Sequence, residues 1–166
     1  MIDAGALTLL AGDIELRDLV IARGDAGAVT VLTPHDGEFS RFLPLGSDRR
    51  AAALALASEL RAVVVLKGAG TVIADHSGDT FIDAEGTSDL ATAGSGDVLA
   101  GIIGALLAGG AARPIETVAV AVMVHGRAGR LAADVASPIT AVEIAEFVPD
   151  ALVALRASAD EGSRGE

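Results

Sequence analysis

Apolar residues in this chain come in two kinds of run. Some are short, unbroken and β-branched; others are long, with alanine and leucine returning every three or four positions. The first kind predicts buried strands at residues 28–33 (AVTVLT), closed by Pro34, and 62–66 (AVVVL). Two further strands, Thr71–Ala74 and 80–82, flank the polar turn 75–79 and read as a hairpin. The second kind predicts helices: a short one over 37–42, a clearer one over 48–61 and one over 97–108 bounded by glycines. A long buried helix over 115–135 and an amphipathic one over 141–155 follow. Beyond Ala157 the sequence turns polar and glycine-containing, which predicts one domain over 1–156 and a disordered tail over 157–166.

Buried strands separated by helices predict an α/β fold, a mostly parallel sheet between helical layers. Ligands of such sheets sit beyond the carboxyl ends of the strands. Three places answer to that rule: the loop after Thr33, the loop after Leu66 and the loop before Asp97. Each carries polar or glycine residues out of keeping with its apolar neighbours.

Composition excludes more than it assigns. A length of 166 residues fits one domain, able to bury roughly 70% of its unfolded surface. With no cysteine there are no disulfides, thiolate metal sites or cysteine nucleophiles. The chain is 51% apolar, yet no run approaches the ~20 residues of a membrane span. A net charge of −11 without a basic patch argues against a nucleic-acid partner. No charged-then-apolar leader opens the chain at Met1, which fits a cytoplasmic address.

The most specific stretch is Ala91-Thr92-Ala93-Gly94-Ser95-Gly96-Asp97. Its glycines let backbone approach an anion, and the helix that follows directs free N–H groups and a positive dipole end at it. No Lys-Ser/Thr pair follows, so it is not a Walker loop, and Leu99 stands where a dinucleotide fingerprint needs a small residue. Ser95 lacks the spacing of a nucleophile elbow. Asp97 either complements the helix dipole or has a chemical task. An acid beside a phosphate site repels its ligand unless it is used, which favours a general base. Lys67-Gly68-Ala69-Gly70-Thr71, directly after a buried strand, offers an ammonium and a concave nest of N–H groups, or else an ordinary turn with a solvated lysine. In Thr33-Pro34-His35-Asp36-Gly37-Glu38, the spacing suits His35 and Glu38 to one crevice. The competing reading is a helix start, capped by His35 or Asp36 with Glu38 in the first turn. His125, inside an apolar helix, reads as a hydrogen-bonded core histidine, and Asp75, His76 and Asp79 as a solvated turn.

Taken in order, TPHDGEF, VVVLKGAGTVIAD, EGTSDLATAGSGDVLAGIIGALLAGG and VHGRAGRLAAD resemble the ribokinase-like NAD(P)H-hydrate dehydratases, over residues 2 to about 154. The resemblance implies a ribokinase-like fold. It also implies dehydration of the S form of hydrated NADH or NADPH, driven by ADP or ATP with Mg²⁺, releasing phosphate and restoring the reduced cofactor. Lys67, Gly68, Ala69, Gly70, Thr71, Gly94, Ser95 and Gly96 would then meet the nucleotide, and His35 and Asp97 the hydrated nicotinamide. Asp97 would be the catalytic base, and Glu38 would take the place of an acid that organises Mg²⁺ indirectly. A homo-oligomer, and a separate N-terminal portion or an epimerase as partner, belong to the same expectation. Departures are visible. MIDAGAL resembles an IDADAL segment that ends a central strand, which predicts a domain truncated at its N-terminus. Gly5 stands where an acid is usual, at the cost of a substrate-side contact; Asp36 replaces a proline and Arg130 an acid, both expected to be neutral for chemistry. The rival readings are a vitamin or small-alcohol kinase of the same superfamily and an inactive nucleotide-binding fragment. Thiazole and pyrimidine kinases commonly carry cysteine at the position of Asp97.

Overall fold

Side-chain alternation along the central strands divides the core in two. In the computed structural model, which describes residues 1–83, 85–110 and 112–164, strand β2 (Val63–Leu66) is buried throughout. Val63 and Val65 project into one apolar cluster, Val64 and Leu66 into another. The same split continues in β1 (Val31–Leu32) and β3 (Thr71–Ala74): Val31 and Ile73 join the first cluster, Leu32, Val72 and Ala74 the second. A strand has period two, so a run apolar at every position is apolar on both faces and needs a helical layer on each. Helices α1 (Gly5–Gly12), α2 (Ile14–Asp25), α3 (Asp36–Phe39) and α4 (Arg49–Leu60) supply one layer, through Leu7, Leu10, Val20, Phe39 and Leu56. The other is built by α5 (Ser95–Ala108), α6 (Pro114–Val135), α7 (Ala141–Glu146) and α8 (Val148–Arg164).

The α/β architecture with flanking helices is as expected, but the sheet, expected to be mostly parallel, is mixed, with two of its three strand pairings antiparallel. Strand order is β1-β2-β3-β4, with β4 at Thr80–Asp83. β1 and β2 run parallel, and Ile2 adds a parallel bridge to Leu32 on the far side of β1. β3 and β4 are antiparallel because tight turns return them: β2 to β3 through Gly68–Gly70, β3 to β4 through the turn after Ala74. In that second turn the Asp75 carboxylate accepts the N–H groups of Ser77 and Asp79 and the Ser77 hydroxyl, so it is a structural turn as well as a solvated one.

Boundaries moved where caps and proline decide them. Asp48 accepts the Ala51 N–H and starts α4; Arg61, in the left-handed region, ends it. α5 begins at Ser95, two residues before the expected start, so Gly96 lies in its first turn. The single helix expected over 141–155 is two, α7 and α8, parted at Phe147 with Pro149 in the first turn of α8, where proline's missing N–H costs nothing. α8 then runs to Arg164, so residues 157–164 are helical and not a disordered tail: Ala154-Leu155-Arg156-Ala157 are strong helix formers that carry the helix on. Residues 165 and 166 of that expected tail lie outside the described residues.

Candidate functional site

At the carboxyl ends of β1 and β2 the chain makes two adjoining turns. His35 and Lys67 form a parallel bridge, and the Lys67 N–H donates to the Pro34 carbonyl at 2.8 Å. Arg49 ties them together: its guanidinium pairs with Asp36 and donates to the carbonyls of Leu66 (3.3 Å) and Lys67 (3.1 Å). Asp36, one of the departures noted above, thus fastens one turn to the other. His35 and Glu38 realise the helix-start reading. The His35 ring accepts the Gly37 and Glu38 N–H groups, while the Glu38 carboxylate accepts the His35 N–H at 3.0 Å.

The glycine turn meets this pair of loops from the other layer. Gly94 caps α5 at φ 85°, and a Cβ there would lie 3.1 Å from that of Ala141, so both conformation and space call for glycine. The Gly96 N–H has no protein acceptor among the described residues, as expected of the open end of a helix. The Lys67 ammonium stands 3.4 Å from where a Cβ on Gly96 would be, and Asp3 Oδ2 3.8 Å. Asp3 and Lys67 are themselves paired at 3.2 Å, largely shielded from water. An ammonium, an open N–H and a helix N-terminus therefore converge on one spot, which is what a phosphate requires.

Beside that spot opens a cavity of about 570 Å³. Of the residues singled out by sequence, His35, Lys67, Gly68, Ala69, Thr71, Ser95 and Gly96 line it, whereas Glu38, Gly70, Gly94 and Asp97 do not. Asp97 is exposed in the first turn of α5, directly after Gly96. Ser95 lines the cavity, but its hydroxyl is buried 3.0 Å from His125 Nε2 and its N–H is spent on Thr92. The rest of the wall comes from Asp83, Gly86, Thr87, Ser88, Leu90, Ala91 and Thr92, and from Leu99, Val122, His125 and Gly126 on the helices. Asp83 is buried, accepts the Glu85 and Gly86 N–H groups, and is held above its ordinary 3.8 chiefly by burial. A smaller hollow of about 190 Å³, at the opposite end of β2 among Thr30, Val63 and Ile115, holds none of the predicted site residues.

Sequence reasoning passed over Asp3, Arg49 and Asp83. Asp3 lies in the MIDAGAL stretch, but no spacing there points to Lys67. The other two act through partners far away in the chain. Arg130, the third departure, donates to the Glu85 carbonyl at 2.7 Å and so holds the cavity wall.

A family model described as NAD(P)H-hydrate dehydratase matches residues 1–150. A bifunctional NAD(P)H-hydrate repair enzyme of Mycobacterium leprae is 46% identical over 163 residues, covering 93% of this chain and 33% of that protein. An ADP-dependent (S)-NAD(P)H-hydrate dehydratase of Neisseria meningitidis is 40% identical, covering 87% of this chain and 50% of its own length. Among solved structures, the ADP/ATP-dependent NAD(P)H-hydrate dehydratase of Bacillus subtilis, co-crystallised with ATP and Mg²⁺, superimposes with a TM-score of 0.70 at 35% identity. That match covers 75% of this chain and 47% of the other. The chain thus spans between a third and half of the length of these relatives.

Proposed function

Because the chain belongs to the NAD(P)H-hydrate dehydratase family, we propose that it carries the phosphate-holding and catalytic part of a cytoplasmic enzyme that uses ADP or ATP to dehydrate the S form of NADH or NADPH hydrate. One observation supports this above the rest. Lys67, the open N–H of Gly96 and the start of α5 meet at the mouth of a cavity large enough for a nucleotide. A carbon-bound hydroxyl is a poor leaving group, so the terminal phosphoryl group of the nucleotide is transferred to it first. Asp97 accepts the hydroxyl proton as the new P–O bond forms. The C–O bond then breaks with loss of phosphate, and a proton leaves the neighbouring ring carbon, which restores the double bond. Lys67 and the helix N-terminus hold the charge on the transferring group.

Mg²⁺ on a nucleotide usually needs only one or two carboxylates besides phosphate oxygens and water. The donor set fits that pattern: no three His, Asp or Glu side chains converge among the described residues, and Asp3 stands beside Lys67 and Gly96. Asp3 would be the first protein ligand, with Glu38 contributing indirectly through His35. When bound, the ion neutralises phosphate charge.

Lys67 is the one lysine of the chain, which permits a clean test. An amine-selective reagent followed by mass spectrometry should modify Lys67 in the free protein and spare it when ADP or ATP is present. Hydrated NADH supplied with ADP and Mg²⁺ should then regain the near-ultraviolet absorbance of the reduced nicotinamide. Accumulation of a phosphorylated alcohol would favour the kinase reading. Labelling of Lys67 indifferent to nucleotide would remove the proposal's main support.

A further inference from the structure

His125 occupies a position that ought to be apolar. It lies mid-way along α6, whose facing residues Ala121, Val122, Val124 and Ala128 are all buried, and it is itself only 7% exposed. A polar ring is tolerated there only if its nitrogen finds a partner. The partner is 30 residues away: Nε2 lies 3.0 Å from the Ser95 hydroxyl and 3.0 Å from the Ser95 carbonyl. Ser95 is the first residue of α5, and its N–H closes on Thr92. Donating to the carbonyl, Nε2 shares its one proton with Oγ, so Ser95 is held by its own N–H on one side and by this shared bond on the other.

The same stretch of α6 secures the rest of the cavity wall. Arg127 and Arg130 face the Glu85 carboxylate at 3.7 and 3.5 Å. Gly126 and Gly129 leave room for the wall to lie flush on the helix: a Cβ on Gly126 would meet Glu85 at 2.9 Å, and one on Gly129 would meet Leu90 at 2.4 Å. Among these tethers, the His125 bond is the one that reaches the glycine turn itself.

We propose that His125 is a positioning residue for the anion-holding turn, fixing Ser95 through Nε2 and thereby setting where the Gly96 N–H and Asp97 stand relative to Lys67. This deepens the nucleotide reading given above and rests on it. Proton transfer is not the role of this ring. Burial, reinforced by the nearby charge of Lys67, lowers its pKa to about 4, so it is neutral at physiological pH and contributes a hydrogen bond.

Three variants test the assignment. His125→Leu keeps bulk without the nitrogen, His125→Gln restores a polar group at about the reach of Nε2, and Ser95→Ala keeps the carbonyl contact alone. Amide exchange of Asp97 and Val98, whose N–H groups bond Gly94, is read by NMR with β2 and α4 as internal reference. ADP affinity is read by calorimetry. In His125→Leu, exchange at Asp97 and Val98 should accelerate and ADP affinity should fall, each by roughly tenfold, the effect of one lost hydrogen bond. Glutamine should recover most of both, and Ser95→Ala should fall between. Unchanged exchange at Asp97 and Val98 in a folded His125→Leu protein overturns the proposal, as does a uniform rise across β2 and α4. Should His125→Leu not fold, unchanged exchange in Ser95→Ala does the same. A parent chain that binds no ADP refutes the nucleotide reading alone, because the exchange pattern still decides what His125 does.

Discussion

Acid should destabilise this protein in part through His125, and the size of that part follows from where the residue sits. In an unfolded chain the His125 imidazole takes a proton around 6.5; in the folded protein burial delays this to about 4. Between those values the unfolded state binds more protons than the folded state, so stability falls as pH drops from 6.5 towards 4 and is independent of this group above about 7. The interval corresponds to about 3 kcal/mol. For a domain of this length that is roughly 6–12 °C in melting temperature. Other groups titrate over the same range. Asp83 acts in the opposite sense: its folded pKa lies above 3.8, so the penalty of keeping it ionised is relieved on acidification. The perturbation must therefore be differential. His125→Gln removes the titrating ring and leaves Asp83 and the surface carboxylates in place, so thermal melts of parent and variant from pH 7 to 4 should diverge, the parent losing about 3 kcal/mol more. Parallel curves would refute the reasoning and place His125 in a wetter environment than its burial indicates.

Lys67→Ala should weaken ADP binding by about 1–3 kcal/mol in calorimetry, the value of a charge-assisted contact. Lys67→Arg should rescue little of that affinity in the same titration, because a flat guanidinium fork is poorly shaped to face Asp3 and the bound anion at once. Asp97→Asn should lower kcat by about 10²–10⁴-fold with ADP affinity unchanged or slightly tighter, as steady-state kinetics beside calorimetry would show. Gly129→Ala places a methyl group 2.4 Å from Leu90 and should cost about 1–3 kcal/mol in denaturant unfolding, with ADP affinity falling in parallel because Leu90 lines the cavity.

What could be seen in the sequence was whatever is encoded over a few neighbouring residues. β2 announces itself as an unbroken valine run, the β3–β4 hairpin as two short strands about a polar turn, and both anion loops as glycines at the end of an apolar stretch. Features that depend on distant partners stayed hidden. β1 shortens to two residues because its pairing is set by Ile2 on one side and β2 on the other, not by the length of its own apolar run. α1 shows no helical period because leucines and small residues occur all round it: Leu7 and Leu10 are buried while Leu9 is exposed. His125 was recognisable as a core histidine, yet nothing near it in sequence names Ser95. Asp3 had no pattern of its own; the Ile2 bridge is what carries it to Lys67.

The choice of cation at the site shows how narrowly this chemistry is specified. Twelve residues of the chain are lysine or arginine, and Lys67 is the one lysine among them. In a chain so committed to arginine, a lysine at the proposed anion site points to something other than charge. Arginine presents its donors as a flat fork that suits one planar partner, whereas an ammonium is a compact point with three donors directed apart. Lys67 turns to Asp3 at 3.2 Å and, in the proposed site, must also reach a group bound at the open N–H of Gly96. A compact head with donors directed apart suits two anions at once better than a flat fork does. Asp3 and Lys67 come from strand ends, whereas Gly96 comes from a helix of the opposite layer, whose first residue is held by His125. The proposed anion site thus forms only when both apolar clusters are formed and docked on the sheet, and its geometry is set as much by core packing as by the residues that would touch a phosphate.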